Sequence, residues 1–413
     1  MHMLDGVKRF DAARPPQRQH LGWLIRLLSI PVLLRHRNRL RKLRMEGVKA
    51  PYLLLCNHNA FMDFMVASRA IWPARANFVV AIDGFLKREW LLRFIGCIGT
   101  RKFTVDLPLV KNMLRAARRG DVVVLYPEAR YSLCGTTAVI PDSVGKLAKK
   151  MGVPVVVLLC HGHHINSPFW NLRQRGVKGT EAEMTCILTP EELKSFSVEE
   201  IMRRIREAFV YDEYAWQRER GIRVTVPWRA EGLHKVLYQC PCCGTEYRMG
   251  TRGAKLFCES CGSEWEMSEL GELRCLTGET RFSHIPDWYE WERENVRREI
   301  ETDCYHFSCP AHVDALPKDR YIPIGKARLT HDRSGFTLET EREGTVHIPA
   351  QTQYSCHIEY EYLGKYGDCI DLNTPTDTLY IYPEDCAFSV TKLALATEEL
   401  YAFHRRGSAA SPG

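Results

Sequence analysis

Between residues 50 and 160 short apolar runs alternate with helical segments, and this alternation restricts the fold more than any other feature of the chain. Strands are expected at Leu53–Cys56, Phe78–Ala81, Val122–Tyr126 and Val155–Leu159. Helices are expected from about 60 to 71, 84 to 95, 106 to 119 and 143 to 151, with Asp106 as an N-cap and Gly120 as a stop. Strands that alternate with helices form a parallel or mixed sheet covered on both faces, the α/β class. In such a sheet, ligands gather at the carboxyl edge. A further amphipathic helix opens at Ser197-Val198-Glu199-Glu200, read as a capping box, and ends near 209.

Two segments that begin at this edge carry chemistry. The first is Asn57-His58 with Asp63, directly after Leu53–Cys56. Residues five apart in one helix point about 140° away from each other, so His58 and Asp63 cooperate only if His58 lies on the turn before the helix. Asp63 in the first helical turns then faces one imidazole nitrogen, leaving the other for a substrate hydroxyl. The second is Tyr126-Pro127-Glu128-Ala129-Arg130-Tyr131-Ser132, which brings Glu128 to the edge with Arg130 beside it. By spacing alone His58 and Asp63 are also compatible with a turn histidine and a helix-start aspartate. His161-Gly162-His163-His164 reads as edge-of-site or structural histidines rather than a metal site, and Cys56 as a small buried residue.

At 413 residues the chain exceeds one average core, so two or three domains are expected. Twelve Lys and Arg stand against three Asp and Glu in the first fifty residues, clustered at 35 to 44 behind the apolar stretch 21 to 34. That stretch is too short to cross a bilayer and carries Arg26 and Pro31, but Trp23, the Leu at 24, 27 and 28, Val32 and the basic flank suit a membrane surface. A packed helix with a solvated flank is the alternative. Without a secretory signal pattern, the expected location is cytoplasmic, peripheral on the inner face of a membrane. Sixteen Cys in that setting point to metal ligands before disulfides.

Four blocks stand in order: Asn57-His58 with Asp63, Gly99-Thr100-Arg101, Tyr126-Pro127-Glu128 and Val153-Pro154-Val155. This order resembles the glycerolipid acyltransferase family, of the type that acylates lysophosphatidic acid, over roughly residues 35 to 210. The resemblance implies that His58 is the general base on the acceptor hydroxyl and that Asp63 holds it. It implies that Arg101 and Glu128 help bind a phosphorylated acceptor; Asn57 and Arg130, at the same edge, are further candidate substrate-binding residues. It further implies phospholipid biosynthesis, with acyl-CoA or an acyl-carrier-protein thioester as donor and a lysophospholipid as acceptor. The chain departs from the pattern after the glutamate, where the family usually has Gly-Thr-Arg-Ser and this sequence has Ala129-Arg130-Tyr131-Ser132. The arginine moves one place, which leaves another lysolipid, or an amino-acid or glycan lipid, open as acceptor. A non-catalytic membrane scaffold is the reading from a different class.

Cys240-Pro241-Cys242-Cys243-Gly244 and Cys258-Glu259-Ser260-Cys261-Gly262 form two Cys-x-x-Cys pairs, each followed by glycine. Cys240, Cys243, Cys258 and Cys261 make a four-thiolate zinc site, structural because no position is left for water, with Cys242 as a spare. Mixed charge around it argues against nucleic acid as a partner. Beyond it a helix from Asp287 to about Ile300 precedes candidate strands at 326–330, 336–340, 345–348, 354–362, 369–372 and 378–382 and a helix from 389 to 404. This order of elements is similar to a pleckstrin-homology-like barrel closed by a helix. The expected organisation is thus a basic N-terminal segment at 1–49, an α/β acyltransferase domain at 50–232, a zinc ribbon at 233–270 and a β-rich domain at 280–405.

Overall fold

Leu53–Cys56 is buried on both sides along its whole length, which makes it a central strand. The computed structural model describes residues 4 to 410 except 5, 105, 342, 343, 365 and 375. Its first sheet holds β1 (Arg39–Leu43), β2 (Leu53–Cys56), β3 (Ala76–Ala81), β4 (Ile98–Thr100), β5 (Val122–Leu125), β6 (Val155–His161) and β7 (Glu181–Leu188), in the order β1-β7-β6-β2-β5-β3-β4. The strands from β6 to β4 run parallel, while β7 is antiparallel to β6 and parallel to β1. The sheet is therefore mixed. Alternate residues of β2 face opposite layers: Leu54 and Cys56 join Val66 and Ala67, and Leu53 and Leu55 join Met113, Ala116, Val144 and Ile201.

The helices are α1 (Gly22–Arg35), α2 (Met62–Ile71), α3 (Glu89–Phe94), α4 (Leu107–Arg118), α5 (Ser143–Met151), α6 (His163–Asn166), α7 (Pro190–Ser195), α8 (Val198–Ala208), α9 (Glu213–Glu219), α10 (Ile285–Glu301) and α11 (Val390–Ala410). With α1 packed on it, α2 covers one face of the sheet, and α4, α5 and α8 cover the other. Asp106 caps α4 by accepting from Leu109 N–H at 2.8 Å. The expected helix at 84–95 is broken, a 3₁₀ turn at Ile82–Phe85 preceding α3. Ser197 caps α8, but the complete capping box belongs to Thr189 and Glu192 at the start of α7.

The basic stretch at 39 to 43 pairs with β7 as the edge strand β1 instead of continuing a surface segment. Arg and Lys hid its strand character, although alternate charged side chains at a sheet edge are a common guard against further pairing. In α1, by contrast, Trp23, Leu27, Leu28 and Leu34 are exposed.

A small antiparallel sheet follows, formed by β8 (Met249–Arg252), β9 (Lys255–Cys258), β10 (Glu264–Met267) and β11 (Leu273–Cys275), and it runs past residue 270. After α10, a seven-stranded antiparallel sheet is built from β12 (Phe307–Leu316), β13 (Ile322–Asp332), β14 (Gly335–Thr340), β15 (Gly344–Pro349), β16 (His357–Glu359), β17 (Cys369–Asn373) and β18 (Thr378–Pro383). Its order is β15-β14-β13-β12-β18-β17-β16, with α11 packed on α10 and β16. β12 was not expected, and the expected strand at 354–362 shrinks to β16. One continuous apolar cluster joins Phe169 and Trp170 of the first unit to Trp265 and Trp288 and to Leu393 and Leu400, so the three units share a core.

Candidate active site

The turn after β2 carries Asn57 and His58, as the spacing required. Asn57 is buried and locks the turn to β6: its amide donates to Cys160 C=O at 3.0 Å and its Oδ1 accepts from Cys160 N–H at 2.8 Å. Asp63, fully buried in the first turn of α2, accepts from the N–H groups of Asn59 (2.6 Å) and Ala60 (2.9 Å) through Oδ2. The same oxygen lies 3.4 Å from His58 Nδ1, at ion-pair distance without hydrogen-bond alignment. Despite its burial the Asp63 carboxyl is held down at about 2 by His163 and His58.

The His58 ring lies between Tyr126 and Tyr131, with centroids 4.2 and 4.3 Å away. Burial lowers its pKa; Asp63 opposes that shift, and the charges of Lys102 and His357 add to it. The imidazole is thereby kept neutral at neutral pH, the form that accepts a proton. The Cys56 thiol behind it is pushed well up by burial and by Asp63, which makes it no nucleophile.

Asp63 has a second partner that sequence reasoning placed only at the edge of the site. His163, fully buried at the start of α6, lies with Nδ1 2.5 Å from Asp63 Oδ1. No fixed spacing links residues 100 apart; the signal was that β6, beside β2, ends in a histidine-rich run. His161 lies 3.0 Å from Glu213 Oε1, and burial drives His164 down to about 3. Asp63, Cys160 and His163 lie close enough to hold a metal ion, but the short Asp63–His163 contact already joins two of the three.

Glu128 reaches the edge after β5 and is buried. It accepts from Ala138 N–H (2.9 Å) and Tyr211 O–H (3.2 Å), and burial pushes its carboxyl up to about 8. Ala129 then adopts φ +55°, the left-handed region in which glycine carries no Cβ penalty. Arg130 turns away from His58: its guanidinium donates to Glu398 of α11 at 2.6 Å, with both side chains almost fully buried. Arg101, after β4, donates to Thr376 C=O at 2.6 Å. Lys102 Nζ lies 3.0 Å from His357 Nε2 on β16. The structure thus brings His58, Asp63, Asn57 and Glu128 together. Arg101 and Arg130 are engaged by the C-terminal unit.

The four expected metal cysteines also converge. Cys240 and Cys261 sulfurs are 3.7 Å apart, Cys243 and Cys258 sulfurs 3.8 Å, and all four lie within 4.8 Å of one another. The two knuckles repeat each other: Gly244 N–H donates to Cys240 C=O and Gly262 N–H to Cys258 C=O, both at 2.9 Å, with φ +74° and +75° at the glycines. Cys242 is exposed outside the cluster. The cluster could bind a metal ion.

Among solved structures, the 1-acyl-sn-glycerophosphate (LPA) acyltransferase PlsC from Thermotoga maritima is similar at 17% identity over 46% of this chain and 76% of that chain, with a TM-score of 0.38. A family model described as Acyltransferase matches residues 32–160, a stretch that takes in His58, Asp63, Arg101, Glu128 and Arg130. Residues 32–160 of this chain are therefore similar to the acyltransferase domain that this model describes.

Proposed function

We propose that the protein is an O-acyltransferase that moves a fatty acyl group from an acyl-CoA or acyl-carrier-protein thioester to the free hydroxyl of a lysophosphatidic acid-type lysophospholipid. The observation that carries this reading is the neutral His58, packed between two tyrosines at the carboxyl edge, with its Nδ1 toward Asp63. His58 Nε2 takes the hydroxyl proton as the oxygen attacks the thioester carbonyl. Asp63 stabilises the imidazolium that forms. Collapse of the tetrahedral intermediate breaks the C–S bond, and the proton passes from His58 to the departing thiolate. No covalent acyl-enzyme is needed.

Among the described residues no helix is long and apolar enough to cross a membrane. Trp23, Leu27, Leu28 and Leu34 support peripheral docking, with Arg39, Arg41 and Lys42 adding attraction to the anionic inner face. A tetrahedral four-thiolate zinc ion with Zn–S bonds of about 2.3 Å puts its sulfurs about 3.8 Å apart, close to the spacings of the paired cysteines. Cys240, Cys243, Cys258 and Cys261 would hold a structural zinc that stiffens the ribbon beneath the shared core. The four-plus-three strand order with a closing helix supports a pleckstrin-homology-like C-terminal unit.

A second reading keeps the chemistry and changes the acceptor. It is favoured by the engagement of Arg101 and Arg130, both expected at the substrate, with Thr376 and Glu398. Incubating the purified protein with an acyl thioester and lysophospholipid vesicles tests both readings: release of thiol with formation of a diacyl product is expected. Thioester consumption without an acylated lipid would contradict them.

A further inference from the structure

The C-terminal unit contributes more than contacts to the edge of the acyltransferase sheet. His357 and Asp371 are cross-strand partners on β16 and β17, so their side chains share one face. Both are nearly fully buried, and each keeps one polar atom without a partner, His357 Nδ1 and Asp371 Oδ1. Arg101 Nε, across the interface, is likewise buried and unpaired. Buried polar atoms are costly to leave unpaired, and several gathered at one edge point to a ligand that completes them.

The local charges define that ligand. His357 Nε2 lies 3.0 Å from Lys102 Nζ and 3.0 Å from Glu359 Oε1. One ring nitrogen cannot both accept from the ammonium and donate to the carboxylate. His357 Nε2 therefore satisfies at most one of Lys102 and Glu359, and the three donors of the ammonium and the two oxygens of the carboxylate leave both able to meet a ligand. Lys102 and Glu359 both act on Asp371, and Arg101 lies across the interface, so both signs of charge gather here. A group with a negative and a positive end matches both signs.

A cavity of about 490 Å³ lies on one side of these residues, lined in part by Phe169, Trp170, Lys235, Glu359 and Tyr360, and Glu359 is the one among them that reaches it. Phe169 lies between this cavity and the reacting base, its ring packing against those of His357 and of Tyr131, which in turn packs against His58.

We infer that the C-terminal β-domain forms the head-group site for the acyl acceptor, with Glu359 and Asp371 binding the ammonium of a zwitterionic lysophospholipid whose phosphodiester meets Lys102. This inference rests on the proposed acyl transfer at His58, in the reading that changes the acceptor, and makes the β-domain a determinant of specificity.

The test uses the full chain, one acyl thioester and three acceptors of equal acyl chain: lysophosphatidylethanolamine, its N-acetylated form, which lacks the positive charge, and lysophosphatidic acid. The free amine is expected to be the preferred acceptor. In D371N and E359Q the preference for it over lysophosphatidic acid should fall by about tenfold, the usual effect of losing a charge-assisted hydrogen bond. Equal use of the amine and its N-acetyl form, or an unchanged preference in both variants, would overturn the inference while leaving acyl transfer intact. Binding of an ether analogue of lysophosphatidylethanolamine, followed by calorimetry, keeps the test independent of turnover. Weaker binding to D371N than to the unaltered chain supports the head-group site even if no acyl transfer occurs, and equal binding rejects it.

Discussion

Asp63 Oδ1 lies 2.5 Å from His163 Nδ1, so the carboxylate that faces His58 is itself gripped by a second imidazole from the neighbouring strand's end. With Oδ2 committed to two backbone N–H groups, the carboxylate has no freedom to rotate. H163A leaves Oδ1 unpaired in a dry interior. The expected result is a kcat lower by about 10- to 100-fold with KM little changed, the cost of one hydrogen bond to a charged group. Initial rates for H163A and H163N against the unaltered chain measure it; partial rescue by asparagine, which restores a donor, marks a positioning role.

The acid limb of the pH profile reports His58. Only the neutral ring accepts the hydroxyl proton, so activity is lost as pH falls through its folded pKa. Burial between Tyr126 and Tyr131 lowers that pKa, so the limb in log kcat/KM should lie below about 6.5, the ordinary histidine value. D63N removes the charge that opposes the shift, and its limb should move still lower. A limb above the ordinary value would contradict a buried, neutral base.

Much of this architecture is legible in the sequence where local pattern and burial agree. β2, α4 and α5 fall within a residue or two of expectation because apolar periodicity, Asp106 and Gly120 mark them directly. His58 on the turn follows from helical geometry alone. β1 and β12 escape because their strand character depends on partners far along the chain, and Arg39 to Leu43 reads as a basic run until β7 is beside it. The contacts of Arg101, Arg130 and His163 escape for the same reason. No spacing encodes that residue 130 meets residue 398.

Arg130 and Glu398 form a buried ion pair, 2.6 Å apart, with Arg293 and Ser355 on the same carboxylate. E398A strands the Arg130 guanidinium in the interface, while Arg293 keeps Glu290 and Glu399, and removal of one partner of a buried pair costs about 3–5 kcal/mol. Urea unfolding should show a loss of that size. A loss below 1 kcal/mol, well under the range for a buried pair, would mean that the pair is solvated and that α11 docks without it.

Metal analysis tests the cysteine cluster. The purified chain should carry one zinc ion, and C243S or C261S should abolish it along with the protease resistance of the ribbon. Retention of stoichiometric zinc in either variant would exclude the four-thiolate site. Because Cys242 stands outside the cluster, C242S should keep its metal.

Acyl transfer by H58A is the most direct measurement of the central claim. The variant should fold, as judged by circular dichroism and retained zinc, and should release thiol from an acyl thioester in the presence of lysophospholipid no faster than the enzyme-free mixture. Transfer by H58A at the rate of the unaltered chain would contradict the assignment of His58 as the base, and with it the mechanism built on the His58–Asp63 pair.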